Sequence, residues 1–193
     1  DLSYQEQQAA LKLGIEAVVR YKNQFGCLHL TKGVLTHGTP GAGKSFVVEV
    51  QGLYAMSQGL RVMSSSLMAV RSHAIGGVHV HKLFCFDVNK NTNVQRMAEL
   101  ALDKLHRKSN ITMYHLVLTM DVLILDECGQ LSAQQVKVID LVLRHARRTN
   151  IPFGGVLIFG TFDHAQLGAI EGLPFILSSH ILTDFTMVRL KHS

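Results

Sequence analysis

The stretch that decides the fold is "VLTHGTPGAGKSFVVEV", Val34 to Val50, where glycines, a proline and a lone lysine separate two apolar runs. "VLTHG" reads as a short buried strand, and "KSFVVEVQGLYAMSQG" reads as a helix stopped at Gly59. Between them, Gly38-Thr39-Pro40-Gly41-Ala42-Gly43-Lys44-Ser45 satisfies GxxxxGK[ST] at every required position. Glycines at these places let the backbone curl so that successive N–H groups face an anion. The helix that follows adds its positive dipole end at the same spot. Lys44 is predicted to reach the outer phosphates, and the Ser45 hydroxyl to hold a magnesium ion. The alternative is an ordinary glycine-rich turn. A complete pattern set between a strand and a helix argues instead for a bound nucleoside triphosphate.

The chain has 193 residues, enough to bury a sizeable core, and 47% of them are hydrophobic. No apolar run approaches the roughly 18 residues of a membrane span. The opening "DLSYQEQQAALK" lacks the basic and apolar regions of a signal peptide. It starts without methionine, so the sequence reads as a piece of a longer chain. Cys27, Cys85 and Cys128 form no CxxC pair, which suits thiols in a reducing, intracellular compartment better than a disulfide framework. In a eukaryote that compartment would be nucleus or mitochondrion. His73, His79 and His81 cluster without carboxylate or thiol company, so no metal site is expected there. The net charge of +5 is compatible with a polyanionic partner but does not demand one. Its local groups, Lys104/Arg107/Lys108 and Arg144/Arg147/Arg148, fall at helical spacing and read as solvated helix faces.

The order of elements sets the class. Leu2–Lys22 reads as a helix, Gly33–His37 as a strand, and Lys44 opens the next helix. Leu60–Ser65 reads as a second strand and Val94–Lys108 as a helix. "DVLILDE", Asp121 to Glu127, is a continuous apolar run ending in acid, the pattern of a central parallel strand buried on both faces. Ser132–Arg148 is a helix with Ser132 as its cap, and Gly154–Gly160 is another buried strand. Strands alternating with helices predict an α/β domain with a parallel sheet and its ligand at the carboxyl ends of the strands.

A triphosphate-hydrolysing site also needs a group for the metal and a group for water. Asp126 ends its strand and is predicted to face the magnesium, while Glu127 would polarise the attacking water. An adjacent glutamate favours hydrolysing motors over kinases. Downstream, "DHAQL" places Asp163 and Gln166 just after a strand, where a glutamine could touch the γ-phosphate.

The set "GTPGAGKS", "LILDE" and "DHAQL", in this order, resembles the first motor domain of superfamily-1 DNA helicases, most of all the Pif-like and RecD-like branch. "EQQAA", Glu6 to Ala10, resembles that family's N-terminal glutamine motif, whose glutamine reads the adenine; Gln7 aligns with it and Gln8 is the alternative. "IGGVHVHKLF", Ile75 to Phe84, resembles a motif that helps contact single-stranded DNA, matched at Gly76, Gly77 and His81. Arg71 and Ser72 stand where the family has small residues, His79 where it has threonine, and Phe162 where it has glycine before the aspartate of its GDxxQ motif. The loop between Gln7 and Gly38 is also long.

The resemblance implies a RecA-like P-loop NTPase domain, a parallel sheet with helices on both faces, spanning residues 33–193 behind an N-terminal helical segment, 1–32, that carries the glutamine motif. It implies ATP and magnesium as cofactors, single-stranded or forked DNA as partner, no membrane, and work in DNA repair or recombination. Such motors cleave ATP between two RecA-like domains, with arginines from the second. That second domain is expected beyond Ser193, and Arg189 is given no such role. This chain alone would then bind ATP but hardly hydrolyse it. Two other readings are an oligomeric AAA-type ATPase and a non-catalytic nucleic-acid-binding remnant of a mobile-element helicase. Intact Lys44, Ser45, Asp126, Glu127 and Gln166 speak against the remnant.

Overall fold

The structure is a computed structural model that describes residues 1–24, 33–66, 84, 93–126, 133–163 and 185–192. In chain order the elements are α1 (Leu2–Asn23), β1 (Gly33–Gly38), α2 (Lys44–Ser57), β2 (Val62–Ser66), α3 (Val94–Leu105), α4 (Ile111–Thr119), β3 (Val122–Asp126), α5 (Ala133–Ala146), β4 (Leu157–Asp163) and β5 (Phe185–Leu190). The five strands form one sheet in the order β2-β3-β4-β1-β5, and every pair is parallel. The phosphate-loop strand, β1, lies between β4 and β5.

Alternation along the strands explains the helices on both faces. Val34, Val122, Ile124, Leu157 and Phe159 pack with Ala17 and Val18 of α1 and Val48 and Ala55 of α2. The intervening Leu35, Leu123, Leu125 and Ile158 pack with Ala98 and Ala101 of α3, Val117 of α4, and Ile139 and Val142 of α5. The run "VLILD" is buried throughout because both of its faces are covered. Edge strand β5 is buried only at its ends, Phe185 and Leu190, and alternates between half-buried and exposed positions between them. Phe84, at the end of "IGGVHVHKLF", is buried in the α3–α5 cluster.

Helix α1 starts on an Asp1 cap that accepts from the Ser3 N–H at 3.1 Å. It approaches α2 closely because Gly14 has no side chain: a Cβ there would lie 2.5 Å from Gln51 Cγ. Gln51 uses the proximity to donate from Nε2 to the Ala10 carbonyl at 3.0 Å. No helix among the described residues is long and apolar enough to cross a membrane.

The amino ends of the strands are tied by a polar network that overturns the solvated-face reading of Arg144 and Arg147. Arg147 donates from Nη1 to the carbonyls of Val117, Leu118 and Met120 at 3.3, 3.2 and 2.8 Å, and from Nε to Gly154 O at 2.9 Å. It thus holds the last turn of α4, where helix carbonyls lack intrahelical partners. Burial lowers its pKa, opposed by Tyr21 and Asp121. Buried Asp140 accepts from Arg144 Nε at 2.8 Å, from Lys137 Nζ at 2.9 Å and from the Phe153 N–H at 2.6 Å. Burial pushes the Asp140 carboxyl up, but these three donors outweigh it and hold it below its ordinary value. Phe153, whose N–H is tied to Asp140, takes φ 53°, a left-handed conformation that a bulky residue rarely takes. Asp121 accepts from the Tyr21 hydroxyl at 3.0 Å and the Arg61 N–H at 2.8 Å. Burial first and the Asp121 carboxylate second push the Tyr21 hydroxyl up to about 12.

The element boundaries depart from the sequence reading in one instructive place. Gly154 and Gly155 belong to a short 3-10 turn, Pro152–Gly155, and β4 begins at Leu157. The strand therefore runs on to Asp163 rather than stopping at Gly160. Helix α3 ends at Leu105, short of Lys108, and β2 begins at Val62. The Ser132 cap, the three cysteines and the histidine cluster lie outside the described residues.

Candidate functional site

Three strands deliver the candidate residues to one rim of the sheet. Gly38 ends β1, Asp126 ends β3 and Asp163 ends β4, with Gly38 level with Asp163 in the β1–β4 register. The loop from Gly38 to Ser45 turns at the same rim and enters α2. Gly41 and Gly43 take φ of 81° and 87°, where a side chain would be strained. Ala42 is buried against Ala10, Val47 and Leu190, which pins the middle of the loop, while Thr39, Pro40 and Gly41 are exposed.

Helix α2 begins at Lys44 with no side-chain cap at Gly43. The N–H groups of its first turn and the positive end of its dipole are therefore presented at the rim, the arrangement that binds an anion. Lys44 Nζ donates to Thr39 O at 2.7 Å and Gly38 O at 3.2 Å, arching back over the loop. Ser45 Oγ donates to Asp126, 3.2 Å from Oδ2 and 3.4 Å from Oδ1. These two residues are 81 positions apart in sequence, and the parallel β1-α2-β3 arrangement brings them together. A hydroxyl beside a carboxylate is a set of hard oxygen donors, which suits magnesium rather than a soft transition metal.

Gln7 reaches the loop from the side. Its Nε2 donates to the Ala42 carbonyl at 3.2 Å, and a Cβ on Gly43 would lie 2.4 Å from the same nitrogen. The glycine and the glutamine are thus matched. Gln8 is exposed on the same turn, and of the two alternatives Gln7 is the one that bonds to the phosphate loop. Its neighbour Glu6 accepts from the N–H groups of Lys191 and His192 at 2.8 and 3.0 Å, just after β5.

Phe162, which stands where the resembled family has glycine, is buried and stacks flat on His37 at 5.0 Å between ring centroids. The two residues are register partners and each directly precedes a candidate site residue, Asp163 or Gly38. Sequence reading missed Thr161, whose Oγ1 donates to Asp126 Oδ1 within the core. A threonine inside an apolar strand gives no motif, and its partner lies 35 residues away. Glu127, Gln166, Gly76, Gly77 and His81, with the departures at Arg71, Ser72 and His79, lie outside the described residues.

With this geometry in hand, the comparisons with known proteins are specific. Residues 3–172 match the family model described as PIF1-like helicase. The chain is similar to the ATP-dependent DNA helicase PIF1 of Trypanosoma brucei brucei, 29% identical over 155 residues that cover 80% of this chain and 15% of that protein. Among solved structures, the Pif1 helicase of Candida albicans aligns with a TM-score of 0.75 at 20% identity, covering 97% of this chain and 39% of that one. Bacteroides Pif1 bound to ssDNA aligns at 0.65 and 22% identity, covering 92% and 41%. These likenesses establish the RecA-like fold. The chain spans only 15% to 20% of the length of the curated relatives it matches.

Proposed function

This chain belongs to the PIF1-like helicase family, and from that premise we propose that it is the ATP-binding motor domain of an ATP-dependent DNA helicase. In the whole protein it would couple ATP hydrolysis to translocation on single-stranded DNA and to duplex unwinding. The observation that carries the reading is the meeting of Ser45 with the Asp126 carboxylate beside the uncapped start of α2 and the Lys44 ammonium. The family match favours this over an oligomeric AAA-type ATPase or a non-catalytic remnant.

In this proposal the N–H groups of the loop and of the first turn of α2 bind the phosphates of ATP. Lys44 exchanges its loop carbonyls for the outer phosphate oxygens. Ser45 and Asp126 hold magnesium, which supplies neutralisation of the charge that develops on the phosphates. Glu127, next in the chain after Asp126, orients water for attack, and Gln166 responds to the γ-phosphate. Gln7 sits beside the loop and reads the adenine, while Asp163 lines the pocket from the end of β4. Gly76, Gly77 and His81 are the proposed single-strand contacts. Single-stranded or forked DNA as partner is supported by the relatives solved with such substrates. The arginines that complete hydrolysis would come from a second RecA-like domain, which agrees with this chain covering about two fifths of the solved relatives. Residues 33–193 would form the ATP-binding domain and 1–32 the segment that carries the glutamine motif. A reducing intracellular compartment belongs to the same proposal.

Glu127→Gln tests the hydrolytic part in the full-length protein. The amide keeps the shape but cannot accept a proton from water. ATP affinity should stay within about 3-fold of wild type while DNA-stimulated turnover falls by roughly 10²-fold or more, the range expected for a lost general base. Unchanged turnover would move the role elsewhere.

A further inference from the structure

Among the described residues at this rim, Thr161 is a polar residue that no motif accounts for. Thr161 lies on β4 and is 1% exposed, and its hydroxyl donates to Oδ1 of Asp126, itself 8% exposed. In the β3–β4 register Leu125 pairs with Gly160, so the next step along each strand brings Asp126 and Thr161 side by side. The Ser45 hydroxyl approaches the same carboxylate from α2, closer to Oδ2 at 3.2 Å than to Oδ1 at 3.4 Å.

A carboxylate at a strand end has two torsions to fix, and one donor cannot fix both. Thr161 can add the missing restraint because it is β-branched, confined to few rotamers, and buried in a strand whose backbone is paired on both sides. The hydroxyl also satisfies part of the hydrogen-bonding need that a buried carboxylate carries. Its bond to Oδ1 leaves Oδ2 turned toward Ser45. The two strands and the helix thus set the plane of the carboxylate together.

We propose that Thr161 is a positioning residue that fixes the Asp126 carboxylate relative to Ser45 and thereby sets the affinity of the nucleotide site for its divalent cation. The inference rests on the assignment of Ser45 and Asp126 as the magnesium-holding pair. Residues of this kind orient the direct ligands of a metal, and losing one costs about 10- to 100-fold in metal affinity. Thr161 does not touch nucleotide in this scheme, so binding of ATP without metal does not depend on it.

The test is a fluorescent-ATP titration of the full-length protein across a magnesium series and again in EDTA, for wild type, Thr161→Val, Thr161→Ser and Asp126→Asn. Thr161→Val should raise the magnesium needed for half-maximal tight binding by about 10-fold or more and leave the affinity in EDTA within about 2-fold. Thr161→Ser, which keeps the donor, should restore the wild-type requirement. A wild-type magnesium requirement in Thr161→Val would overturn the proposal, as would an equal loss with and without metal, which marks a packing role. If the valine variant does not fold, Thr161→Cys, of similar volume and a weaker donor, is read against the same two outcomes. Asp126→Asn separates the levels. If it raises the magnesium requirement and Thr161→Val does not, only the positioning role falls; if neither does, the metal assignment falls with it.

Discussion

The two rims of the sheet carry similar residue types in opposite arrangements. At the amino ends of the strands, Asp140 is buried and saturated by Lys137, Arg144 and the Phe153 N–H, while Arg147 spends its donors on four main-chain carbonyls. Every partner is internal. At the carboxyl ends, Asp126 accepts from two hydroxyls, Lys44 rests on carbonyls of an exposed turn, and α2 begins without a side-chain cap. The Ser45 hydroxyl and the loop carbonyls are contacts that a cation or a phosphate can replace at little cost. A charged group closed on the protein stabilises the fold, whereas one held by replaceable partners beside an uncapped helix is arranged for a ligand.

If that contrast holds, changes at the amino rim should alter stability and leave nucleotide affinity alone. Arg147→Met should have the largest effect, about 3 kcal/mol or more in denaturant unfolding, because it strands carbonyls of α4 and of the turn before β4. ATP affinity measured on the folded variant should stay within about 2-fold. A loss of ATP affinity without a loss of stability would break the comparison.

Asp140→Asn should cost about 2 kcal/mol at neutral pH, since its donors lose a charged acceptor. The folded carboxyl lies below its ordinary value of 3.8. Its stabilisation is therefore complete above pH 3.8 and disappears as the pH falls through the lowered folded value. Unfolding curves of Asp140→Asn and wild type should converge in acid; a constant gap down the pH range would contradict the network.

The smallest effect is expected at Tyr21. Tyr21→Phe removes one hydrogen bond to Asp121 and should cost about 1 kcal/mol. Here the folded pKa is raised, from 10.0 to about 12, so the contribution is complete below pH 10 and is lost as the pH rises through about 12. Thermal unfolding of the two proteins should differ at pH 8 and draw together in alkali.

The same contrast explains what could be read from sequence. The phosphate loop was legible because its chemistry is local, eight consecutive residues between a strand and a helix. Asp126 was legible because a carboxylate ending a fully apolar strand is rare. Arg147 was not, since helical spacing states which residues share a face but says nothing of the carbonyls 27 to 30 positions away that it binds. Helix α4 went unrecognised because "ITMYHLVLT" is rich in β-branched residues, and docking beneath α5 with Arg147 at its end overrides that propensity. Strand β5 was also missed: "FTMVRL" carries the mixed pattern of an edge, with Met187 partly exposed. Thr161 escaped because its partner is set by strand register, which one sequence does not reveal.

The central claim, that the carboxyl rim binds nucleotide, is tested most directly by ATP titration of the folded wild-type protein against Lys44→Ala in magnesium. Charge-assisted hydrogen bonds contribute about 1.5–3 kcal/mol each, so the variant should bind roughly 10- to 100-fold more weakly while its unfolding midpoint without nucleotide shifts by less than about 2 °C, a small surface-substitution effect. Equal ATP affinity in the two proteins would contradict the account.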